Sequence, residues 1–230
     1  DYDRAIILNS SYLYAYCNRA MAKAENGDPE MGLKDINYVL ARSKNADYYF
    51  NRGLVYNYLA NKLDLNGEKD SALKYYTMSK QDYSLVLSID SNKYVYNNLG
   101  NLYSDMEDDT IALICYNRVL HKYSLNNKGA LLSENGKYSE AVNLFDESIN
   151  MDSLYFEPFA NKKLVFDKAP GSSQIMAPWF DGKVERKIKK THKGSMYRTY
   201  LFYMPDDIEN YKLGFSNHIP VDFVEPVMPE

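Results

Sequence analysis

Residues that could do chemistry are few in this chain and lie far apart. The three histidines, His121, His192 and His218, have no acidic or thiol partner at the spacing of a known catalytic or metal-binding motif. Cys17 and Cys115 lie in no paired motif, so the sequence predicts neither a disulfide framework nor a thiolate metal site. We therefore predict a protein that is not an enzyme and that uses no metal or cofactor.

One acidic cluster, Glu107-Asp108-Asp109, could bind a cation weakly. It lies between two predicted helices. An aspartate near a helix N-terminus in a solvated loop explains the same residues without a ligand, because the helix dipole favours negative charge there. The cluster does not change the prediction of a non-catalytic chain.

Composition narrows the class of protein further. The 230 residues are 45% hydrophobic, with a formal net charge of -4, which argues against a general nucleic-acid-binding role. The longest apolar runs fall short of the roughly 18 residues of a membrane span. The helical pattern already present at Tyr2 and Ala5 suggests an excised piece. We expect membrane association only through a partner or through an anchor preceding Asp1.

A four-residue pattern that contains an asparagine repeats along the chain, which indicates a repeated structural unit. A short pattern recurs as CNRA, FNRG, NNLG, NNKG and ANKK, and its last residue, here called the small position, is Ala20, Gly53, Gly100, Gly129 and Lys163, at spacings of 33, 47, 29 and 34 residues. Twelve residues later come Gly32, Ala112 and Ala141, and four further on Ile36, Tyr116 and Phe145. Small residues facing large ones predict two closely packed antiparallel helices per unit.

These residues resemble the tetratricopeptide repeat, whose pattern is W-x2-L-G-x2-Y followed by A-x3-F. The match is good in NNLGNLY and NNKGALL with the residues that follow them. The resemblance implies an all-α, right-handed solenoid over residues 1–169, with a partial first unit, about four helix pairs and a capping helix at 154–169.

Two odd spacings predict local changes in the array. The 47-residue spacing adds 14 residues around Asn66-Gly67, which predicts a lengthened hairpin near 60–78 with Ser79 and Tyr83 in the packing positions of its second helix. The 29-residue spacing predicts a shortened unit in which Tyr123-Ser124-Leu125 joins two helices.

The last part of the chain, 170–230, has a different character. Pro170-Gly171 breaks the helical pattern, and a short segment outside the repeats with some β structure is expected. It comprises a hairpin around Asp181-Gly182 and an aromatic strand at Ser195–Met204. The basic stretch 183–193 could touch phosphates, although a solvated strand face explains it more simply.

The resemblance also implies where a partner would bind, since the first helix of each pair lines the concave groove in this family. The residue two before the small position, here called the amide position, is always asparagine, and amides can pair with the backbone of an extended peptide. The predicted partner-binding residues are Asn18, Asn51, Asn98, Asn127, Asn161, Tyr14, Phe50, Tyr94, Asn97, Asn101, Tyr123 and Asn126. The same asparagines could instead bond neighbouring helices.

Arg19 and Arg52 lie beside the small position and should face the packing side rather than the groove. No cation is left at the groove positions where the family's carboxylate clamp carries lysine and arginine. We therefore do not predict that subtype.

The predicted function is a non-catalytic scaffold that binds an extended segment of a protein or peptide in the groove, with no nucleic-acid or small-molecule ligand. Two alternatives stay open: a structural subunit of a bacterial envelope or secretion assembly, and a recruiting module for a catalytic domain outside this chain. The Tyr-rich and Asn-rich composition resembles that of bacterial tetratricopeptide lipoproteins. The compartment stays open between a periplasmic or lipoprotein location and the cytoplasm.

Overall fold

The computed structural model describes residues 2–89 and 93–168, and all the regular structure in these ranges is helical. Its helices are α1 (Tyr2–Leu8), α2 (Leu13–Glu25), α3 (Pro29–Leu40), α4 (Ala46–Leu65), α5 (Lys69–Ile89), α6 (Lys93–Asp105), α7 (Asp109–Asn117), α8 (Lys122–Glu134), α9 (Tyr138–Met151) and α10 (Glu157–Lys168). Of these ranges, residues 2–119 belong to one compact unit and residues 120–168 to a second. The predicted β-hairpin around Asp181-Gly182 and the strand Ser195–Met204 lie outside the described residues.

Helices α2 to α9 form four pairs, and each pair is joined by a three-residue turn with the same backbone geometry. The central turn residue has a positive φ angle in every pair: Gly27 (+91°), Gly67 (+83°), Glu107 (+64°) and Gly136 (+76°). The N–H of the residue that follows donates to a carbonyl five residues back, as in Asp28 to Lys23 at 2.9 Å. This is the standard way to end a helix in a left-handed residue, which glycine adopts without steric cost.

Small residues allow the two helices of each pair to pack closely. A Cβ atom added to Gly53 would lie 2.8 Å from Cε1 of Tyr83, and one added to Gly129 would lie 2.7 Å from Cε1 of Phe145. The Ser79 hydroxyl donates to the Gly53 carbonyl at 2.7 Å. The predicted packing register of Ser79 and Tyr83 is therefore confirmed.

The second pair is longer than the others on both sides of its turn. Helices α4 and α5 have 20 and 21 residues, whereas α8 and α9 have 13 and 14. Gly67 follows Gly53 by 14 residues, and Gly136 follows Gly129 by only 7. Seven residues make about two helical turns, so each helix lengthens and keeps the same face in contact.

The third pair is short because α7 has only nine residues. The prediction that Tyr123-Ser124-Leu125 joins two helices is wrong, since these residues lie within α8 and the join is at 118–121. Tyr123 and Leu125 are buried, with exposures of 1% and 6%. Their burial in the core outweighs the tendency of Ser124 to begin a helix.

Candidate functional site

The asparagine at the amide position lies where two consecutive first helices meet. In the first unit, Asn51 Nδ2 on α4 donates to Cys17 Sγ on α2 at 3.1 Å. In the second unit, Asn161 Nδ2 on α10 donates to Asn126 Oδ1 on α8 at 2.9 Å. Both acceptors occupy the residue three before the small position, so the same bond recurs with different acceptors.

Two first helices carry neighbouring asparagines that bond to each other. Asn97 Nδ2 donates to Asn98 Oδ1 at 3.3 Å on α6, and Asn126 Nδ2 donates to Asn127 Oδ1 at 3.2 Å on α8. An amide has two N–H donors and two acceptor lone pairs. Each bond fixes the orientation of one side-chain amide relative to the next.

Most of the predicted binding residues are buried. The side chains with 0% exposure are Asn51, Asn97, Asn98, Asn101, Asn126, Asn127 and Asn161, and Phe50 and Tyr123 are 3% and 1% exposed. The partly exposed ones are Tyr14, Asn18 and Tyr94, all in the first unit. Only three of the twelve predicted residues therefore have a partly exposed side chain that a partner could contact.

Asn18 differs from the other asparagines at the amide position. Its Oδ1 atom is buried and has no hydrogen-bond partner among the described residues. No first helix precedes α2 in the described part of the chain, so the contact that Asn51 makes to α2 has no counterpart at Asn18.

The position six residues before the small position lies about one helical turn before the amide position, where Asn18 stands on α2. Tyr14, Asp47 and Tyr94 occupy this earlier position on α2, α4 and α6, and each is partly exposed. Helix α4 packs against both α2 and α6. Burial raises the pKa of Tyr94 above its ordinary value, so its hydroxyl stays a neutral donor and acceptor at physiological pH.

The arginines beside the small position bond the second helix of their own pair. Arg19 donates through Nε and Nη2 to both carboxylate oxygens of Asp35, at 2.8 and 2.7 Å, and Arg52 does the same to Asp82 at 2.7 and 2.8 Å. The prediction that they face the packing side is confirmed. Bidentate pairs of this kind are strong and geometrically specific.

Comparison with known proteins supports the reading of the helix pairs. Two family models described as Tetratricopeptide repeat match residues 94–120 and 122–151, which are the α6–α7 and α8–α9 pairs. Residues 94–151 therefore carry two tetratricopeptide repeats. The crystal structure of MamA is similar at 13% identity and a TM-score of 0.40, with 66% of this chain and 85% of that chain covered. A search of curated proteins finds no match.

The two matched repeats make the chain a candidate protein-interaction scaffold, because the tetratricopeptide repeat is generally a non-catalytic interaction module. The predicted acidic cluster fits such a scaffold. Asp108 caps α7, its carboxylate accepting from the N–H of Ile111 at 3.1 Å, and Glu107 and Asp109 flank it. Among residues 2–89 and 93–168, no group of three or more histidines, cysteines or carboxylates could hold a metal ion.

Sequence reasoning missed a polar network between α4, α5 and α6. Asp105 Oδ2 accepts from Asn57 Nδ2 at 3.3 Å and from Asn61 Nδ2 at 3.0 Å, and the Tyr76 hydroxyl donates to Asn61 Oδ1 at 2.7 Å. Asn57 and Asp105 are 1% and 3% exposed. Asn61 lies beyond the ordinary repeat length, so a period-based alignment has no position for it.

In the second unit, Lys122 at the start of α8 pairs with Asp152 after α9. Burial works to raise the pKa of Asp152, but the Lys122 ammonium and the N–H groups of Leu154 and Tyr155 lower it more, so the pKa lies below its ordinary value. This ion pair ties the two ends of the helix pair together.

The described helices offer no membrane span. None of them combines the length and the apolar character that a bilayer crossing needs.

Burial raises the pKa of the Cys17 thiol to about 12 and that of Cys115 to about 11, which makes both poor nucleophiles at neutral pH.

Proposed function

We propose that the chain binds an extended segment of a partner protein along the first helices α2, α4 and α6. The observation that carries this proposal is the row of partly exposed side chains Tyr14, Asp47 and Tyr94 beside Asn18, on three helices that pack consecutively. Tyrosines supply apolar area and a polar tip at little entropic cost, which suits recognition of a peptide.

The buried acceptor of Asn18 supports a backbone-directed contact. A buried carbonyl oxygen without a partner destabilises the protein by about 1–3 kcal/mol, and a backbone N–H of the partner would remove that penalty on binding. The buried asparagines on α4 and α6 hold the first helices at the spacing that lines up the exposed row. The hydrogen bonds of these side-chain amides thus position the site. The partner contacts the partly exposed side chains of the row first.

A photo-crosslinking amino acid tests the location of the site. It is placed at Tyr94 on α6 or, as the matched control, at Tyr75, a partly exposed tyrosine on the second helix α5. Crosslinking of a cell lysate followed by mass spectrometry should identify a protein linked from Tyr94 and not from Tyr75. Crosslinks from Tyr75 alone would support assembly through the second helices and reject a groove site.

Two asparagine variants then separate binding from architecture, using the crosslinked partner as the ligand. N18A should weaken binding by about fivefold, since a single hydrogen bond contributes about 1 kcal/mol. It should leave thermal stability unchanged or slightly higher, because it removes an unsatisfied acceptor. N98A and N127A should lower stability, and unchanged binding by their folded forms would make those two asparagines purely architectural. The exposed pair N143A and N150A on α9 serves as the control.

A further inference from the structure

Three of the four turns inside the helix pairs have the sequence Asn-Gly. They are the exposed dipeptides Asn26-Gly27, Asn66-Gly67 and Asn135-Gly136. In such a dipeptide the backbone nitrogen of the glycine can attack the amide carbon of the asparagine side chain, because glycine has no side chain that shields it. Each of these turns is therefore a place where the chain could modify itself.

Attack by the glycine nitrogen converts the asparagine in two steps. The nitrogen forms a bond to Cγ, the bond from Cγ to Nδ2 breaks, and the proton of the backbone N–H leaves with Nδ2 as ammonia. The product is a five-membered succinimide ring. Water then opens the ring at one of its two carbonyls to give aspartate or isoaspartate, so water is the only co-reactant.

The folded form of each turn prevents this attack. The ψ angles of the three asparagines are 8°, -4° and 11° in chain order, which turns the glycine nitrogen away from the asparagine side chain. The N–H of each glycine also donates to the carbonyl three residues back, at 3.2 Å for Gly27, 2.9 Å for Gly67 and 3.0 Å for Gly136. Each turn must therefore open before it reacts, and the turn that opens most often should react fastest.

Two of the three turns are held closed by a further hydrogen bond. Lys62 Nζ on α4 donates to the carbonyl of Gly27 at 3.2 Å and pairs with Glu30 at 2.8 Å, which ties the first turn to the neighbouring helix. In the last turn, Asn135 Nδ2, which is the leaving group of the reaction, donates to the carbonyl of Leu131 at 3.1 Å. These bonds must break in addition to the turn itself.

The turn of the lengthened hairpin has neither kind of support. The side chain of Asn66 makes no hydrogen bond among the described residues, and no described side chain bonds the carbonyl of Gly67. The two extra helical turns on each side place this turn at the tip of the pair, where residues 65–71 are all exposed and Leu65 is 70% exposed. The tip can therefore open without disturbing a neighbouring helix.

We propose that Asn66-Gly67 is a site of spontaneous deamidation and that it converts to aspartate and isoaspartate faster than the other two Asn-Gly turns. Isoaspartate adds one carbon to the main chain inside the three-residue turn. The bond from the N–H of Glu68 to the carbonyl of Leu63, 2.9 Å long in the intact turn, is then lost. Modification thus removes the bond that ends α4.

Incubation of the whole folded chain at mildly alkaline pH tests the proposal. Peptide mapping by mass spectrometry measures deamidation at each turn, and labelling by an isoaspartyl methyltransferase detects isoaspartate. Asn66 should react about fivefold faster than Asn26 and Asn135, since one hydrogen bond changes the open population by about that factor. Equal rates, or a faster reaction at Asn26 or Asn135, would overturn the proposal.

Two controls separate the effect of the turn from that of the sequence. In urea the three sites should react at similar rates, and a preference for Asn66 as large as in the folded chain would reject the structural cause. K62M should raise the rate at Asn26, whereas K44M, at an exposed lysine on the loop before α4, should not. Circular dichroism checks that both variants fold, and an unchanged rate at Asn26 in folded K62M would also count against the proposal.

Discussion

The substitution Gly129→Ala tests the close packing that builds each helix pair. The added methyl would lie 2.7 Å from Cε1, 3.0 Å from Cδ1 and 3.1 Å from Cζ of Phe145, all shorter than a normal carbon contact of about 3.5 Å. Overpacking of this kind costs about 1–3 kcal/mol. Replacing a helical glycine by alanine returns about 1 kcal/mol. We expect a net loss of about 0–2 kcal/mol in the free energy of unfolding.

Shortening the facing side chain should reverse the sign of this effect. In the background F145L, the alanine methyl meets no ring, so G129A should stabilise the protein by up to about 1 kcal/mol. The coupling energy from the double-mutant cycle should reach about 1–3 kcal/mol. Gly32→Ala is the contrasting case, since its methyl would lie 2.5 Å from the backbone oxygen of Ala20, which no side-chain change can relieve.

Urea unfolding followed by circular dichroism measures all four proteins of the cycle. The slope of each transition must be compared as well, because repeat arrays can lose cooperativity. A G129A protein clearly more stable than the wild type, or a coupling energy near zero, would refute the packing that we assign to the small position.

Three further predictions concern ion pairs and thiols. R52K should lower the free energy of unfolding by about 1–2 kcal/mol in urea titrations, because lysine cannot make the bidentate bond to the buried carboxylate of Asp82. The lowered pKa of Asp152 stabilises the fold above the ordinary carboxyl pKa, so acid should remove more stability from the wild type than from D152N between about pH 5 and pH 3; parallel curves would contradict this. Cys17 and Cys115 should react with a thiol reagent at pH 8 only after unfolding, and rapid reaction of the native chain would contradict their raised pKa values.

Local sequence was enough to predict the helix pairs. Helical periodicity and the small position at Gly53, Gly100 and Gly129 were sufficient, because a missing Cβ facing an aromatic ring has few structural explanations. The turn at Asn66-Gly67 followed in the same way from the residues that end helices. The positive φ angle of Glu107 could not be predicted in this way, because glycine holds the same position in the other three turns.

What the sequence determined by itself is the repeating unit, since helix periodicity, turn residues and small-to-large packing act over one or two turns of chain. Tertiary structure decided the rest, because an asparagine can bond a ligand or a neighbouring helix with the same atoms. The bonds of Asn51 to Cys17 and of Asn161 to Asn126 join helices more than 30 residues apart, and only the folded chain shows them. The folded chain also distinguishes Asn18, whose oxygen is buried without a partner among the described residues, from asparagines that look identical in the repeat.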